Sequence, residues 1–526
     1  MPSESHHGQT AMWEGGEPPL FPVAPPSGGW EAERAPRLKS VNRKQLLLRT
    51  VDVEQLVEAD HTARAIWELV GRLDLSGFQE PIGAVEGIAG RPAWDPHLLI
   101  SLWVYAYSQG VGSAREVERR CAYHPAYQWL TGLETVNHHT LSDFRVQHQQ
   151  ALDQLFVDLL AALSAEGLIT LEQVMHDGTK VKAAASGKSF RREETLREHL
   201  AAAQKQVEEM GDPRQAEVSP RQAKARERAA RQKVERLQQA LEEMKQVQAV
   251  GQKEQEAPPR RVSETDPEAR IMKQGDGGFA PSHNLQISTD AAHGIIVGVG
   301  VTQAGSDQRE LIPALEEIES NLGRLPQQVV ADGGFTTHET VMATAERGVE
   351  LIGGALEAGA QAAREVNFER RGVAPEFRPE AFRYEAATDT YTCPAGKVLA
   401  HQTREERAGV IRHRYQASAG DCRGCPFRSQ CCPQTSRGRQ LVRSEKTPEV
   451  AAFLAKMQTE RAREIYRRRG AVAEFSNLWL KAKLGLRQFC VRGLKKVRCE
   501  ALWACLTYNI QQWIRLRWRA PQVQGA

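Results

Sequence analysis

No apolar run in this 526-residue sequence reaches the roughly 20 residues that a bilayer-spanning helix needs. Its first residues hold no positive stretch followed by an apolar core, so no secretory signal is expected. Cysteine is scarce: nine residues, without the even spacing of a disulfide framework, which points to a reducing, cytosolic setting. A GxxxxGK[ST] phosphate loop and a Ser-His-Asp spacing are both missing, which excludes ATPase and triad-hydrolase readings. No internal repeat is visible. Net charge is only +3, so the total names no partner.

The distribution of charge says more. From Arg461 to Glu500 there are twelve Lys/Arg against three Glu, a local field that suits a polyanion. A solvated basic helix face is the plainer alternative. One of those three acids, Glu474, stands in the middle of YRRRGAVAEFSNLWLKAKLGLRQFCVRG (466–493).

The chain divides by pattern. Residues 1–40, rich in Pro, Gly and Glu, are expected to be a disordered tail. Residues 41–165 read as helical. Asp60 is the expected cap of a helix carrying Ala63, Ile66, Trp67 and Val70; another follows WDP (94–96), and Thr140 or Ser142 caps a later one. His138 and His139 precede that cap and read as structural or surface residues. A DNA-binding helix-turn-helix and a purely packed helical domain both fit this stretch. Residues 166–357 then alternate strands and helices, which implies an α/β unit around a central sheet. LEQVMHD (171–177) reads as a strand ending in Asp177, and QQVVADGG (327–334) as one ending in Asp332. A charged helical hairpin at about 190–270 is inserted between strands, broken by GDP (211–213) and SP (219–220). A cysteine-containing insertion spans 358–445, and a helical segment carrying Glu474 spans 446–520. Thr447-Pro448 should start its first helix, and Gly470 should break that helix and let a new one begin.

Asp177 and Asp332 share a context: each follows an apolar strand, and each precedes glycine. Carboxylates at strand ends point into the crevice where α/β sheets bind ligands, and the glycines leave room for a phosphate or an ion. Two neighbouring carboxylates stay ionised together when a cation lies between them, and Mg²⁺ suits such oxygen ligands, with Mn²⁺ as a substitute. For either aspartate alone, capping a turn is a sufficient role. Glu474 and Lys481 lie seven residues apart on one helix, hence on one face and about 10 Å apart. Glu474 is thus a candidate third metal ligand in two-ion phosphoryl transfer, and Lys481, Tyr466 and Arg469 are candidates for holding a phosphate backbone. His176 would point to the opposite face from Asp177.

These stretches resemble the DDE transposases of bacterial insertion sequences, in the IS1182-type branch. HDGTKVKAAAS (176–186) resembles the family's first-aspartate motif, and VVADGGF (329–335) the second. YRRRGAVAEFSNLWLKAKLGLRQFCVRGLKKV (466–497) resembles the Tyr-Arg-Glu-Lys signature and its tail, with four residues between Arg469 and Glu474 where the broader signature has three. GRPAWDPHLLISLWVYAYSQGVGSAREVERRC (90–121) and HHTLSDFR (138–145) resemble the N-terminal helical domain. The resemblance implies an RNase H-like fold with a mixed five-stranded sheet. It implies Asp177, Asp332 and Glu474 as Mg²⁺ ligands, and Tyr466, Arg469 and Lys481 as DNA contacts near the scissile phosphate. The implied partners are double-stranded DNA with terminal inverted repeats, target DNA and further copies of the chain in a synaptic dimer or larger complex. The implied location is the cytoplasm, at the nucleoid. Lys495, Lys496 and Arg498 are expected to neutralise DNA phosphates as well. A nuclease without strand transfer and a non-catalytic DNA-binding derivative are the competing readings.

In the insertion, CPAGKVL (393–399) and CRGCPFRSQCC (422–432) offer Cys393, Cys422, Cys425 and Cys431 as Zn²⁺ ligands, with Cys432 able to replace Cys431. Free thiols are the alternative. Cys121, Cys490, Cys499 and Cys505 fall in helical patterns and read as small core residues.

Overall fold

The computed structural model describes residues 46, 48, 50–84, 92–210, 219–251, 260–354, 356, 360–407, 410–435 and 437–519. The expected tail at 1–40 and the GDP interruption at 211–213 lie outside them.

The first part is helical: α1 (Thr62–Val70), α2 (Ser76–Gln79), α3 (Pro96–Ser108), α4 (Ala114–Cys121), α5 (Pro125–Thr131), α6 (His138–Gln147) and α7 (Gln149–Ala165). Asp95 caps α3 by accepting from His97 N, with Pro96 at the first helical position, as the WDP reading requires. Two caps differ from expectation. His61, not Asp60, caps α1, its Nδ1 accepting from Ala63 N at 3.2 Å. Burial lowers the pKa of His61, which favours the neutral ring that can accept. Asn137 caps α6 in place of Thr140 or Ser142, accepting from His139 N at 2.8 Å. His138 and His139 therefore lie inside the first turn, where His138 Nδ1 meets Glu118 at 2.6 Å.

Next comes the sheet. Its strands are β1 (Gln173–Lys182), β4 (Arg270–Lys273), β5 (Phe279–Asp290), β6 (Ile295–Thr302), β7 (Gln328–Val330) and β8 (Glu350–Ile352); the short β2 (Phe190–Arg191) and β3 (Val262–Ser263) pair separately. β1 is central. It runs antiparallel to β5 from Val174↔Asp290 to Lys182↔Ser282, and parallel to β7 from Gln173↔Gln328 to Met175↔Val330. β7 runs parallel to β8, and β6 antiparallel to β5. The sheet has six strands where five were expected, because β4 forms a hairpin with the start of β5. Helices α10 (Leu311–Leu322) and α11 (His338–Glu346) follow β6 and β7.

Two insertions interrupt this unit. Between β1 and β5, α8 (Glu193–Met210) and α9 (Pro220–Gly251) form the hairpin, held by Leu196, Ala203, Leu237, Ala240 and Met244. After β8 come α12 (Ala360–Arg370) and a separate antiparallel sheet: β9 (Arg383–Glu385), β10 (Thr390–Thr392), β11 (Val398–Arg407), β12 (Val410–Ala417) and β13 (Gln440–Lys446). Short helices α13 (Ala419–Arg423) and α14 (Arg428–Cys431) join β12 to β13.

The chain then forms α15 (Pro448–Met457), α16 (Glu460–Ala482) and α17 (Leu494–Leu516). Thr447 and Pro448 open α15 as expected. Gly470 does not break a helix: α16 is capped by Thr459 and continues through it. A mid-helix glycine costs about 1 kcal/mol relative to alanine, and packing of Ala462 and Ala473 on Met175, Val330 and Ile352 outweighs that. Cys499, Trp503, Cys505, Tyr508 and Trp513 of α17 are all buried, as expected for a helix inside a core. α17 belongs to the same apolar cluster as α3, α7, β6 and α10. Asn509 from α17 both donates to the carbonyl and accepts from the N–H of Ile296, satisfying the sheet's edge.

Candidate active site

Strand register brings the two aspartates together. Met175 and Val330 are the last paired residues of β1 and β7, and both lie beneath α16. Side chains alternate along a strand, so the next residues on that face are Asp177 and Asp332, each two positions further on. β7 stops at Val330, and the sheet opens there. β1 does not end at Asp177, contrary to expectation; antiparallel pairing with β5 carries it to Lys182. His176 faces the other way as expected, buried with Nδ1 at 2.9 Å from Ser288 Oγ and Nε2 at 3.1 Å from Gln286 Oε1. Burial pushes its pKa down to about 4, so the ring is neutral at pH 7.

Asp177 is in a difficult place for an anion. Burial raises its carboxyl to about 6; Arg469 opposes the rise, and the charge of Asp332 adds to it. Arg469 Nη1 lies 3.8 Å from Asp177 Oδ1, and Asn477 Nδ2 donates to Oδ2 at 2.9 Å. Asp332 Oδ1 accepts from Gly334 N at 2.7 Å, so it also shapes its own turn. The glycines do different work from the expected one. Gly178 faces Gln286 and Asp307 on the opposite side of the sheet, where a Cβ would come within 2.6 Å of the Gln286 amide. Gly333 meets Gly354, where an added Cβ would lie 2.5 Å from Gly333 Cα and 3.2 Å from Tyr466 Oη.

Helix α16 supplies the other groups. Tyr466, Arg469, Ala473, Asn477 and Leu480 recur at helical spacing on the face toward the sheet. Arg469 sits over the Tyr466 ring, 5.9 Å from its centre. Lys481 Nζ donates to the Lys180 carbonyl at 3.0 Å; burial lowers its pKa, and the Asp177 charge acts against that. Glu474 stands on the flank of this face, exposed, with Oε1 turned back toward Gly470. It does not join the aspartates: among the described residues, the one trio of potential ligands within 4.8 Å of one another is Asp389, His401 and His413. That trio lies in the insertion sheet, where Asp389 already accepts from the Tyr384 and Tyr415 hydroxyls and the two imidazoles bond each other at 3.2 Å. Arg443 lies 3.9 Å from Asp389, which further disfavours a cation.

The basic residues separate. Lys495 and Lys496 are exposed and, among the described residues, form no ion pair. Arg498 is engaged inside the protein by Asp153 and by Glu317, the latter at 3.1 Å. Its expected phosphate contact is corrected accordingly: these bridges tie α17 to α7 and α10. Cys393, Cys422, Cys425 and Cys431 gather around one small cavity in the insertion. Cys121, Cys499 and Cys505 are buried, whereas Cys490 is not.

Asn477 was missed in the sequence. Its signal was available, since it lies eight residues after Arg469 on the same helix face. Asp307 was missed as well; it accepts from Lys180, Asn284 and Gln286 on the far side of β1, and no sequence pattern marks it.

Residues 392–514 match the family described as Transposase DDE domain, and residues 51–147 the family described as Transposase domain (DUF772). Glu474 falls within the first match; Asp177 and Asp332 fall between the two. No curated protein matches the sequence. Among the described residues, no helix is long and apolar enough to cross a membrane.

Proposed function

The chain belongs to the IS1182-type DDE transposases, and on that premise we propose that it binds the ends of an insertion sequence, cuts there, and joins the freed 3′-hydroxyl to target DNA. The carrying observation is the approach of Asp332, just past the end of β7, to Asp177 on the parallel strand β1, beneath the helix that bears Glu474. An RNase H-like catalytic fold is supported by the order β6-β5-β1-β7-β8, with β1 central and Asp332 after the fourth strand of that set.

Divalent metal fits the residues present. Two oxygen donors lie side by side, and the pKa of one is raised by burial and by its neighbour's charge, a strain that a cation would relieve. Asp177, Asp332 and Glu474 would hold Mg²⁺, and Mn²⁺ has similar preferences. When bound, the metal supplies activation of water or of a 3′-hydroxyl and stabilisation of the leaving oxygen. Asn477 fixes the orientation of the Asp177 carboxylate. To join the aspartates, Glu474 would have to turn its side chain away from Gly470. Arg469, Lys481 and Tyr466 line the approach and hold the DNA backbone near the scissile phosphate. Lys495 and Lys496 add phosphate contacts, and synapsis of two ends calls for a dimer or larger assembly. The setting is cytoplasmic, at the nucleoid.

Cleavage of labelled DNA carrying paired element ends tests this reading. Asp177→Ala, Asp332→Ala and Glu474→Ala should each abolish cutting and leave end binding largely intact. Wild-type cutting by Glu474→Ala would remove Glu474 from the ligand set. Cutting without any joined product would favour a nuclease.

A further inference from the structure

The insertion between β8 and α15 holds five of the nine cysteines, and they converge from three separate stretches. Cys393 follows β10 in a tight Cys-Pro-Ala-Gly-Lys turn: Cys393 N donates to the Lys397 carbonyl at 2.8 Å, and Gly396 takes a φ of +75°. Cys422 and Cys425 sit two strands later, after β11 and β12, in Cys-Arg-Gly-Cys, on and just after α13. Cys431 and Cys432 end α14. All five line one cavity of about 20 Å³, space for a single water-sized occupant.

The surroundings favour thiolates at two of the sulfurs, whereas burial pushes the Cys431 thiol up to about 12, so a metal would have to displace its proton. Lys397 N donates to Cys393 Sγ at 3.2 Å, and Arg439 N donates to Cys422 Sγ at 3.3 Å. Backbone N–H groups aimed at sulfur stabilise the charged form. The Arg439 guanidinium is buried beside Cys431, fixed by the carbonyls of Cys431 and Phe377, both at 2.9 Å, while its Nε has no partner. A buried guanidinium needs a counter-charge, and neutral thiols do not supply one. Among the described residues, the one acid lining the cavity is Asp421, which accepts from Ser418 and lies 3.8 Å from Lys397.

We propose that this cluster is a structural zinc site in which Cys393, Cys422, Cys425 and Cys431 bind one Zn²⁺ as thiolates. Four thiol protons leave to solvent, four Zn–S bonds form, and no oxidation state changes. Arg439 and the two backbone N–H groups offset the resulting negative charge. Cys432 is the spare: it lines this cavity and also the larger groove beyond it, which has a volume of about 950 Å³. Among the described residues no three of these sulfurs lie within 4.8 Å of one another, so binding draws the Cys393 turn and the Cys422–Cys425 turn together. The site clamps the insertion's short connections, whose own core is small: Val373, Phe377, Phe382, Leu399, Tyr415, Ala417, Cys431 and Leu441. It is distinct from the carboxylates of the active site.

The test uses the full chain, purified without chelator from cells supplied with zinc. Elemental analysis should give about one zinc per chain. The Cys422→Ser/Cys425→Ser double variant should lose it; Cys432→Ser and Asp177→Asn/Asp332→Asn should keep it. Cobalt exchanged into the wild-type protein should give a thiolate-to-cobalt charge-transfer band and the intense visible bands of a tetrahedral site, a readout that requires no variant to fold. Zinc-free protein that gives no cobalt spectrum overturns the proposal. So does zinc that stays in Cys422→Ser/Cys425→Ser and leaves with Asp177→Asn/Asp332→Asn. A disulfide among these cysteines, seen as a mass two hydrogens lighter, overturns it too. None of these results bears on whether the chain cuts DNA.

Discussion

Replacing Asp177 by asparagine should make the metal-free protein more stable at neutral pH while abolishing its activity. In the folded chain burial, with help from the charge of Asp332, moves this carboxyl from 3.8 to about 6, which corresponds to roughly 3 kcal/mol. The folded value is the higher one. The wild-type protein therefore has its full stability below pH 4 and loses this contribution as the pH rises through 6. Asparagine removes the buried charge but leaves Arg469 without its anionic neighbour, which returns part of the gain; about 1–2 kcal/mol should remain. The assay is thermal unfolding in EDTA, from pH 4 to pH 7.5, for both proteins. Their difference should be near zero at pH 4 and favour Asp177→Asn by a few degrees at pH 7.5, given about 2–4 °C per kcal/mol for 150–250 residues and less for a longer chain. Magnesium should reverse the ranking, because saturation at about 100 times Kd stabilises the wild type by about 2.7 kcal/mol. A difference that does not change with pH, or a variant less stable throughout, would refute the claim that Asp177 carries a strained charge.

Gly354→Ala should separate the loops after β7 and β8, since its Cβ would meet Gly333 Cα at 2.5 Å; a loss of about 1–3 kcal/mol is expected, with cleavage falling more than end binding when both are measured on one preparation. Lys495→Gln with Lys496→Gln should lower the salt dependence of binding by about 0.9 per lost contact in a salt-titrated mobility assay, and an unchanged slope would remove them from the DNA interface. Arg498→Gln should instead reduce thermal stability, because it leaves Asp153 and Glu317 without their shared partner, and it should leave the salt slope alone.

Much of this arrangement was legible because it rests on local pattern. Strand alternation around Asp177 and Asp332, the Asp95-Pro96 start of α3 and the Thr447-Pro448 start of α15 are short-range features, and a sequence carries them openly. Failures came where distant residues decide. Gly470 reads as a stop until the sheet beneath α16 is known. β1 reads as ending at Asp177 because nothing nearby reveals that β5 pairs it on to Lys182. Arg498 looks like the other cations around it; only the approach of Asp153 and Glu317 sets it apart. The cap of α1 turned on the protonation state of His61, which burial sets and no spacing encodes.

The bond from Asn477 to Asp177 joins residues 300 positions apart. At 5–20 residues per second, a ribosome takes about 15–60 s to travel that distance. During that interval β1 has no helix above it, and even its neighbour β5 must wait for the whole α8–α9 hairpin. A nascent chain therefore holds Asp177 through that whole interval before Asn477 can orient its carboxylate, so the proposed site stays incomplete until almost all of the protein has been made.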